Sequence, residues 1–242
     1  MKHVTFFLMA LTAVSVYAQD KPKETTGTNF RKVQIGFNFS PDLCYRTLKN
    51  NDGSQVSDII VDSRDDMETS KFGYTSGFNV CFNIKKSFGL ETGIQYSNKG
   101  YQTRMSDLRF ALPNPGMPQQ AKTKYNFHCI DIPVKANLII GKKKVRFFTS
   151  AGVTTNISIK ETQIMVLVYS DHTSRETNQT TDSFKRINIS PSISAGIDYK
   201  INDRSNLRVE PTFRYGILKI IDESVAAYLY SYGLNIGYYY GL

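Results

Sequence analysis

The chain has 242 residues, 40% hydrophobic and 21% charged, with 15 Tyr, 15 Phe, no Trp and a formal net charge of +9. That length suits one large domain with ample material for a core. A mean hydropathy of −0.32 argues against a multi-span helical membrane protein, and the charge and aromatic content argue against wholesale disorder.

The first element is a leader. Met1-Lys2-His3 is basic, Val4 to Val16 is apolar and uncharged, and Val16-Tyr17-Ala18 places small residues where a signal peptidase cuts. Residues 1–18 therefore read as a secretory signal peptide, too short to span a bilayer, with cleavage near Ala18. No cysteine follows the cut, so no lipid anchor is expected. Export also makes nucleic acid a poor partner for the basic chain. Residues 19–32 are polar and aperiodic and read as a periplasmic arm.

From residue 33 to 242 the dominant period is two, which puts alternate residues on one face of a strand and never on one face of a helix. Val33, Ile35, Phe37 and Phe39 open the series. A long connection is expected near 41–69, carrying Asp42, Asp52, Asp58, Asp62, Asp65, Asp66 and Glu68 against Arg46, Lys49 and Arg64, or −4. It lacks EF-hand spacing. The second strand has Phe72, Tyr74, Phe78, Val80, Phe82 and Ile84. The tight turn Lys85-Lys86-Ser87 leads to a third with Phe88, Leu90, Ile94 and Tyr96. The next long connection, 100–124, carries Arg104, Arg109, Lys122 and Lys124 against Asp107, or +3, and Leu112-Pro113-Asn114-Pro115-Gly116 stiffens its tip. These two connections carry opposite charge; they are expected to be solvated loops, or else to pair with each other or offer opposite charges to partners.

Ile130, Ile132, Val134, Ala136 and Leu138 form the fourth strand. After Gly141-Lys142-Lys143-Lys144 come Val145, Phe147, Ala151, Val153 and Ile157. A long connection covers 158–186. The sixth strand has Ile187, Ile189, Ile193, Ala195, Ile197 and Tyr199, and the seventh, beyond Asn202-Asp203-Arg204, has Leu207, Val209, Phe213 and Tyr215. After a connection at 217–227, the last strand places Tyr228, Tyr230, Tyr232, Leu234, Ile236, Tyr238, Tyr240 and Leu242 on one parity. Residues 224–242 carry no charge, and a spanning helix is the rival reading there. Asn235 and the strict alternation count against it.

Short turns on one side and long connections on the other describe an all-β, eight-stranded antiparallel up-and-down transmembrane β-barrel with both ends in the periplasm. A soluble lipocalin-like barrel would reverse the faces. The leader, the Tyr and Phe on the apolar face and the lysines in the short turns favour lipid. The other face carries Glu91, Asp131, Lys135, Arg146, Asp198, Arg208, Glu210 and Arg214, read as a charge network sealed in the lumen. Asp131, Lys135 and Arg146 are expected to pair with one another. Pro133, Pro191 and Pro211 fall inside strands, where a bulge or a strand end is expected. In the last strand Gly233, Ile236 and Tyr238 fit the address read by the barrel-assembly machinery, although the chain does not end on an aromatic residue.

Catalytic and metal signals are thin. The mature chain has only His128 and His172, and no HExxH, Walker A or GxSxG pattern occurs. Ser170-Asp171-His172 is a local cluster, but a relay needs side chains converging from separate elements. Cys44, Cys81 and Cys129 are expected to be free thiols. The reading is therefore non-enzymatic, with no cofactor, no catalytic residue and no metal site.

Ile130-Asp131-Ile132-Pro133-Val134-Lys135-Ala136-Asn137 resembles the acid-Ile-Pro signature of the PorT-like outer-membrane barrels of Bacteroidota. Phe147 to Val153, Ala195 to Tyr199 and Arg208 to Gly216 are similar to the later strands of that family. The resemblance covers most of 33–242 and implies an accessory component for secretion and maturation of proteins exported by the type IX system. Outer-membrane lipid, the barrel-assembly machinery and other secretion components are the implied partners. A surface binding or adhesion barrel acting through its long loops, or a small pore, are the alternatives.

Overall fold

The computed structural model describes residues 31–111, 114, 116–179, 185–221 and 223–242. The expected signal peptide, most of the N-terminal arm and residues 112, 113 and 115 of the expected stiff tip lie outside the described residues. In chain order the elements are β1 (Val33–Asn50), α1 (Gln55–Met67), β2 (Glu68–Thr69), β3 (Lys71–Lys85), β4 (Phe88–Thr103), β5 (Ser106–Asp107), β6 (Gln120–Ile140), β7 (Val145–Val168), β8 (Thr173–Gln179), β9 (Ile187–Lys200), β10 (Ser205–Tyr215) and β11 (Val225–Gly241).

Eight of these strands close on themselves. β1, β3, β4, β6, β7, β9, β10 and β11 pair antiparallel in that order, and β11 pairs back onto β1 from Gln34 opposite Gly241 to Asn50 opposite Val225. One circuit of facing residues runs Val33, Phe82, Leu90, Ala136, Ala151, Ile193, Phe213, Tyr232 and back to β1 at Leu43, ten residues past its start. A stagger of that size tilts eight strands by about 40° and leaves a bore that side chains fill. Closure leaves no open edge within the barrel wall. β2, β5 and β8 are short additions at the far end, on β4, β6 and β7.

All eight expected barrel strands form, and most run on past the ends expected of them. The segments 41–50, 100–103, 120–124 and 158–168 continue β1, β4, β6 and β7 instead of looping. The reason is pairing: an exposed polar strand looks like a loop in sequence, but each of these has a hydrogen-bonded neighbour. Residues 55–67 are helical, which the acidic composition hides. Ser54 caps α1 by accepting from the Ser57 amide at 3.1 Å, and Gly53 turns the chain into it at φ 70. The charge-free run at 224–242 is β11, not a helix, and no described helix is long and apolar enough to cross a membrane.

The prolines do not bulge their strands. Register is the same on both sides of each, but the ladder lapses on one neighbour: β4 and β6 stop pairing opposite Gly93 and Ile94, beside Pro133, and β9 and β10 stop beside Pro211. A missing N–H removes one bond and leaves the backbone path intact. The bulges fall elsewhere. Ile159 of β7 is an extra residue between Lys160, opposite His128, and Ser158, opposite Cys129. Beyond it the strand exchanges its faces.

The outer wall is apolar. Phe37, Phe72, Phe78, Ile94, Val134, Ile193 and Tyr232 all stand exposed, and similar residues occupy most of the other outward positions, with Ser76, Thr92, Thr149 and Thr155 among them. Aromatic side chains rim both margins, with Phe82, Phe88, Phe147, Tyr199, Tyr238 and Tyr240 at the short-turn end and Tyr45, Tyr74, Tyr96, Tyr215 and Tyr230 at the other. In water such a wall is unstable, whereas between aromatic girdles it matches a hydrocarbon slab.

Candidate functional site: the sealed lumen

The faces of β1 to β11 that point inward build the interior from the short-turn end outward. At its base lies Arg208, fully buried, sandwiched between the Tyr239 ring at 3.9 Å and the Phe148 ring at 4.7 Å. Its guanidinium reaches Glu91 at 3.0 Å and Asp198 at 2.9 Å. Lys135 binds the other Glu91 oxygen at 2.8 Å, and Arg146 pairs with Asp198. Tyr239 and Asn137 also donate to Glu91, at 3.1 and 2.7 Å. Three cations and two carboxylates are thus tied together, and neutral donors satisfy the remaining oxygens.

Above this base is a band of amides. Gln95 donates to Asn79 at 2.8 Å, Asn79 to Asn38 at 3.1 Å and Asn38 to Asn235 at 3.0 Å. Asn235 donates in turn to Glu210 at 2.9 Å, which Ser194 also binds. The next level has two separate pairs, Arg214 with Asp42 at 3.1 Å and Lys99 with Asp131 at 2.9 Å. Ser40 donates to the same Asp42 oxygen as Arg214 and Thr75 to the other, and Asn156 donates to the Asp131 oxygen that Lys99 leaves open.

The outer end of the lumen is apolar. Leu48, Tyr101, Phe127, Cys129, Ile220, Val225, Ala227 and Leu229 form one buried cluster, and Val61 of α1 packs on it. Arg46, buried beside Tyr101, pairs with Glu68 at 2.7 Å and with Asp65, and Arg64 joins Glu68 at 2.8 Å. Of the acids of 41–69, Asp65 and Glu68 are therefore answered by Arg46 and Arg64 of their own segment and Asp42 by Arg214, and among the described residues none of these three pairs with the basic segment 100–124. A recess between the polar levels and this cap is lined by Lys99, Asn156, Glu161, Arg214, Phe127 and Ile220, among others.

All eight residues expected in the lumen face it: Glu91, Asp131, Lys135, Arg146, Asp198, Arg208, Glu210 and Arg214. The expected pairing among Asp131, Lys135 and Arg146 does not form. Lys135 stands directly opposite Glu91 across β4 and β6, and Arg146 directly opposite Asp198 across β7 and β9, which leaves Asp131 to Lys99. Asp42 and Lys99 were hidden from sequence reasoning because they border segments that read as connections, although both share the parity of the lumenal set. Of the expected assembly residues, Ile236 and Tyr238 face outward, and Gly233 faces inward where a Cβ would collide with the Asp42 carboxylate.

His128 lies on the outer wall, with Nδ1 2.5 Å from the Tyr96 hydroxyl. His172 stacks on Tyr169 at 4.4 Å and its Nδ1 is 2.7 Å from Asp171, in an exposed turn that brings up no third group. Cys44, Cys81 and Cys129 are free and buried. Among the described residues no cluster of three or more His, Cys, Asp or Glu side chains is arranged to hold a metal ion.

A closed eight-stranded wall, apolar outside and ion-paired within, defines a transmembrane β-barrel. The chain belongs to the outer membrane protein beta-barrel domain family, whose model matches residues 17–222. Among solved structures it is similar to Neisserial surface protein A, at 12% identity and a TM-score of 0.47 over 87% of this chain and 97% of that one. It is also similar to the outer membrane protein OprG of Pseudomonas aeruginosa, at 11% and 0.46 over 90% and 100%. A third similar structure is the outer membrane protease OmpT of Escherichia coli, at 9% and 0.40 over 91% and 99%. No curated protein sequence matches the chain.

Proposed function

We propose that this barrel is a non-enzymatic scaffold of the outer membrane, an accessory component for secretion and maturation of proteins exported by the type IX system. Resemblance to the PorT-like barrels of Bacteroidota supplies the pathway. On this reading the leader is cleaved after Ala18, the barrel-assembly machinery inserts the chain, membrane lipid surrounds it and other secretion components are its working partners. Nucleic acid has no part.

The observation that carries the scaffold reading is the filled bore. Arg208, Glu91 and Tyr239 occupy its base and the Leu48–Tyr101–Phe127 cluster its outer end. A polypeptide needs a channel wider than the few ångströms that eight strands leave between packed side chains. The barrel therefore acts through its ends and its wall. Deleting the gene is expected to retain type IX cargo inside the cell, with rescue by the full chain. Cargo exported at the normal rate from the deletion strain rejects this function.

A second reading is a surface-binding barrel. It is favoured by the outer end, where β6, β7 and β8 extend past the wall and Val56, Ile59 and Met67 of α1 stand exposed. Normal secretion together with loss of adherence in the deletion strain selects this alternative.

A further inference from the structure

The outer extension of β6, β7 and β8 has two faces, and they differ in charge. Beyond the Ile159 bulge, residues directly opposite one another share a face. One row holds Lys122, Val166 and Arg175, the next Lys124, Ile164 and Thr177, the next Asn126, Thr162 and Gln179, and the last His128 and Lys160. His128 is on the outward face, since it meets the wall residue Tyr96, which in turn contacts Tyr74. All four rows therefore continue the outward side of the sheet upward from the aromatic girdle, with Asn126, Thr162 and Val166 buried within them and Lys122 and Lys124 half-buried.

This face carries Lys122, Lys124, Lys160 and Arg175. The carboxylates of these strands, Glu161 and Glu176, belong to the alternate residues and so to the opposite face. The nearest acid on the basic side is Asp107 of β5, one row further out, where it accepts from Gln120 at 2.8 Å. Among the described residues no ion pair ties any of the four cations to a carboxylate, and Lys160 and Arg175 are exposed. The cations sit close enough to repel: burial first, and then Lys122 and Arg175, hold the Lys124 ammonium below the ordinary lysine range. Like charges gathered without counter-charge cost stability, and an anion between them removes that cost.

Depth identifies the anion. Lys160 is level with the girdle, and Lys124 and Lys122 lie four and six residues beyond His128. At about 3.4 Å per residue and a tilt of about 40°, that is roughly 10–15 Å above the girdle. This is the height of lipid head groups in the leaflet on the long-connection side, and the side chains project laterally, towards lipid rather than along the barrel axis. We propose that the face formed by Lys122, Lys124, Lys160 and Arg175 binds the phosphate groups of an outer-leaflet glycolipid, with the acyl chains lying on the wall below Tyr74, Tyr96 and His128. Two phosphates spaced along a sugar backbone match cations spread over three of the four rows, with Val166 between Lys122 and Arg175. This site is independent of any part the barrel plays in secretion.

The test uses the full-length folded barrel in uncharged detergent, titrated with a bisphosphorylated acyl-disaccharide lipid. The same lipid without phosphates and inorganic phosphate serve as separate probes, and native mass spectrometry reads occupancy. The phosphorylated lipid is expected to bind at least tenfold more tightly than the dephosphorylated one. The triple variant Lys122→Gln/Lys124→Gln/Arg175→Gln is expected to lose that preference, while Lys142→Gln/Lys143→Gln/Lys144→Gln, which removes as much charge from a short turn at the opposite end, keeps it. Heat-modified gel migration reports folding of each variant. Should the first triple fail to fold, wild-type affinity for the phosphorylated lipid is expected to fall tenfold or more between 50 and about 500 mM salt, and Lys124→Gln alone is expected to weaken it. Equal binding of both lipids overturns the proposal, as does equal loss in the two triple variants. Displacement of the lipid by inorganic phosphate at equal concentration also overturns it, because the face would then be a free-anion site.

Discussion

At the scale of single residues the lumen depends on charges that have no water to fall back on. Glu91 answers both Lys135 and Arg208, so neutralising it leaves Lys135 without its carboxylate and Arg208 with Asp198 alone in a packed interior. Glu91→Gln is expected to cost about 3–5 kcal/mol, read as a lowered urea midpoint for the detergent-folded barrel. Asp203→Asn, at an exposed turn where the carboxylate meets Lys200, is expected to leave the midpoint unchanged. Backbone is as restrictive as charge at Gly100. It sits at φ +141, and a Cβ would run into the Tyr125 carbonyl of the neighbouring strand. Gly100→Ala is expected to destabilise by about 1–3 kcal/mol in the same assay, and an unchanged midpoint would mean that β4 relaxes freely there. The eight lumenal charges could be picked out by parity, since each alternates with apolar neighbours along its strand. Their partners could not, because Arg208 and Glu91 are 117 residues apart and the tilt of the strands decides which inward side chains share a level.

At the scale of elements, period two marked each barrel strand and left the outer extensions unmarked. β6 and β7 were legible where one face met lipid, as in Ile132, Val134 and Leu138. They were illegible at 120–124 and 158–168, where both faces are mixed and only the partner strand holds the backbone extended. α1 was missed for a related reason. Its apolar residues Val56, Ile59, Ile60 and Val61 are few and set among four acids, and the legible signal is local: Ser54 before the first turn and Asp58 within it. Ser54→Ala is expected to loosen α1 by about 1 kcal/mol, seen as roughly fivefold faster amide exchange over 55–67 with the barrel strands unaffected. Exchange that rises equally in β1 and β11 would show that helix and wall unfold together.

At the scale of the whole molecule the fold is a wall with its solvent preferences inverted, held closed by β1 against β11 and packed through its length. The filled bore predicts a silent channel. Purified protein in planar bilayers is expected to show no steady conductance, and open-state currents would require the base around Arg208 or the outer cap to be absent. Burial predicts equally inert thiols. Cys44, Cys81 and Cys129 are expected to escape a water-soluble maleimide in the folded barrel and to react when it is denatured. Labelling of Cys129 in the folded state would place water in the recess beside Phe127.

Alternation is a property of neighbouring residues, and so the sequence alone determined that this chain is built of strands, which side of each meets lipid, and that the other side carries balanced charge. Three things waited for the tertiary structure: the pairing of each charge, the apolar cap over the polar lumen, and the basic face above the girdle. Each is set by which residues lie at the same height on different strands. Height follows from the ten-residue stagger, which arises only when the last strand closes on the first, and from the bulge at Ile159, which arises only in the pairing of β7 with β6.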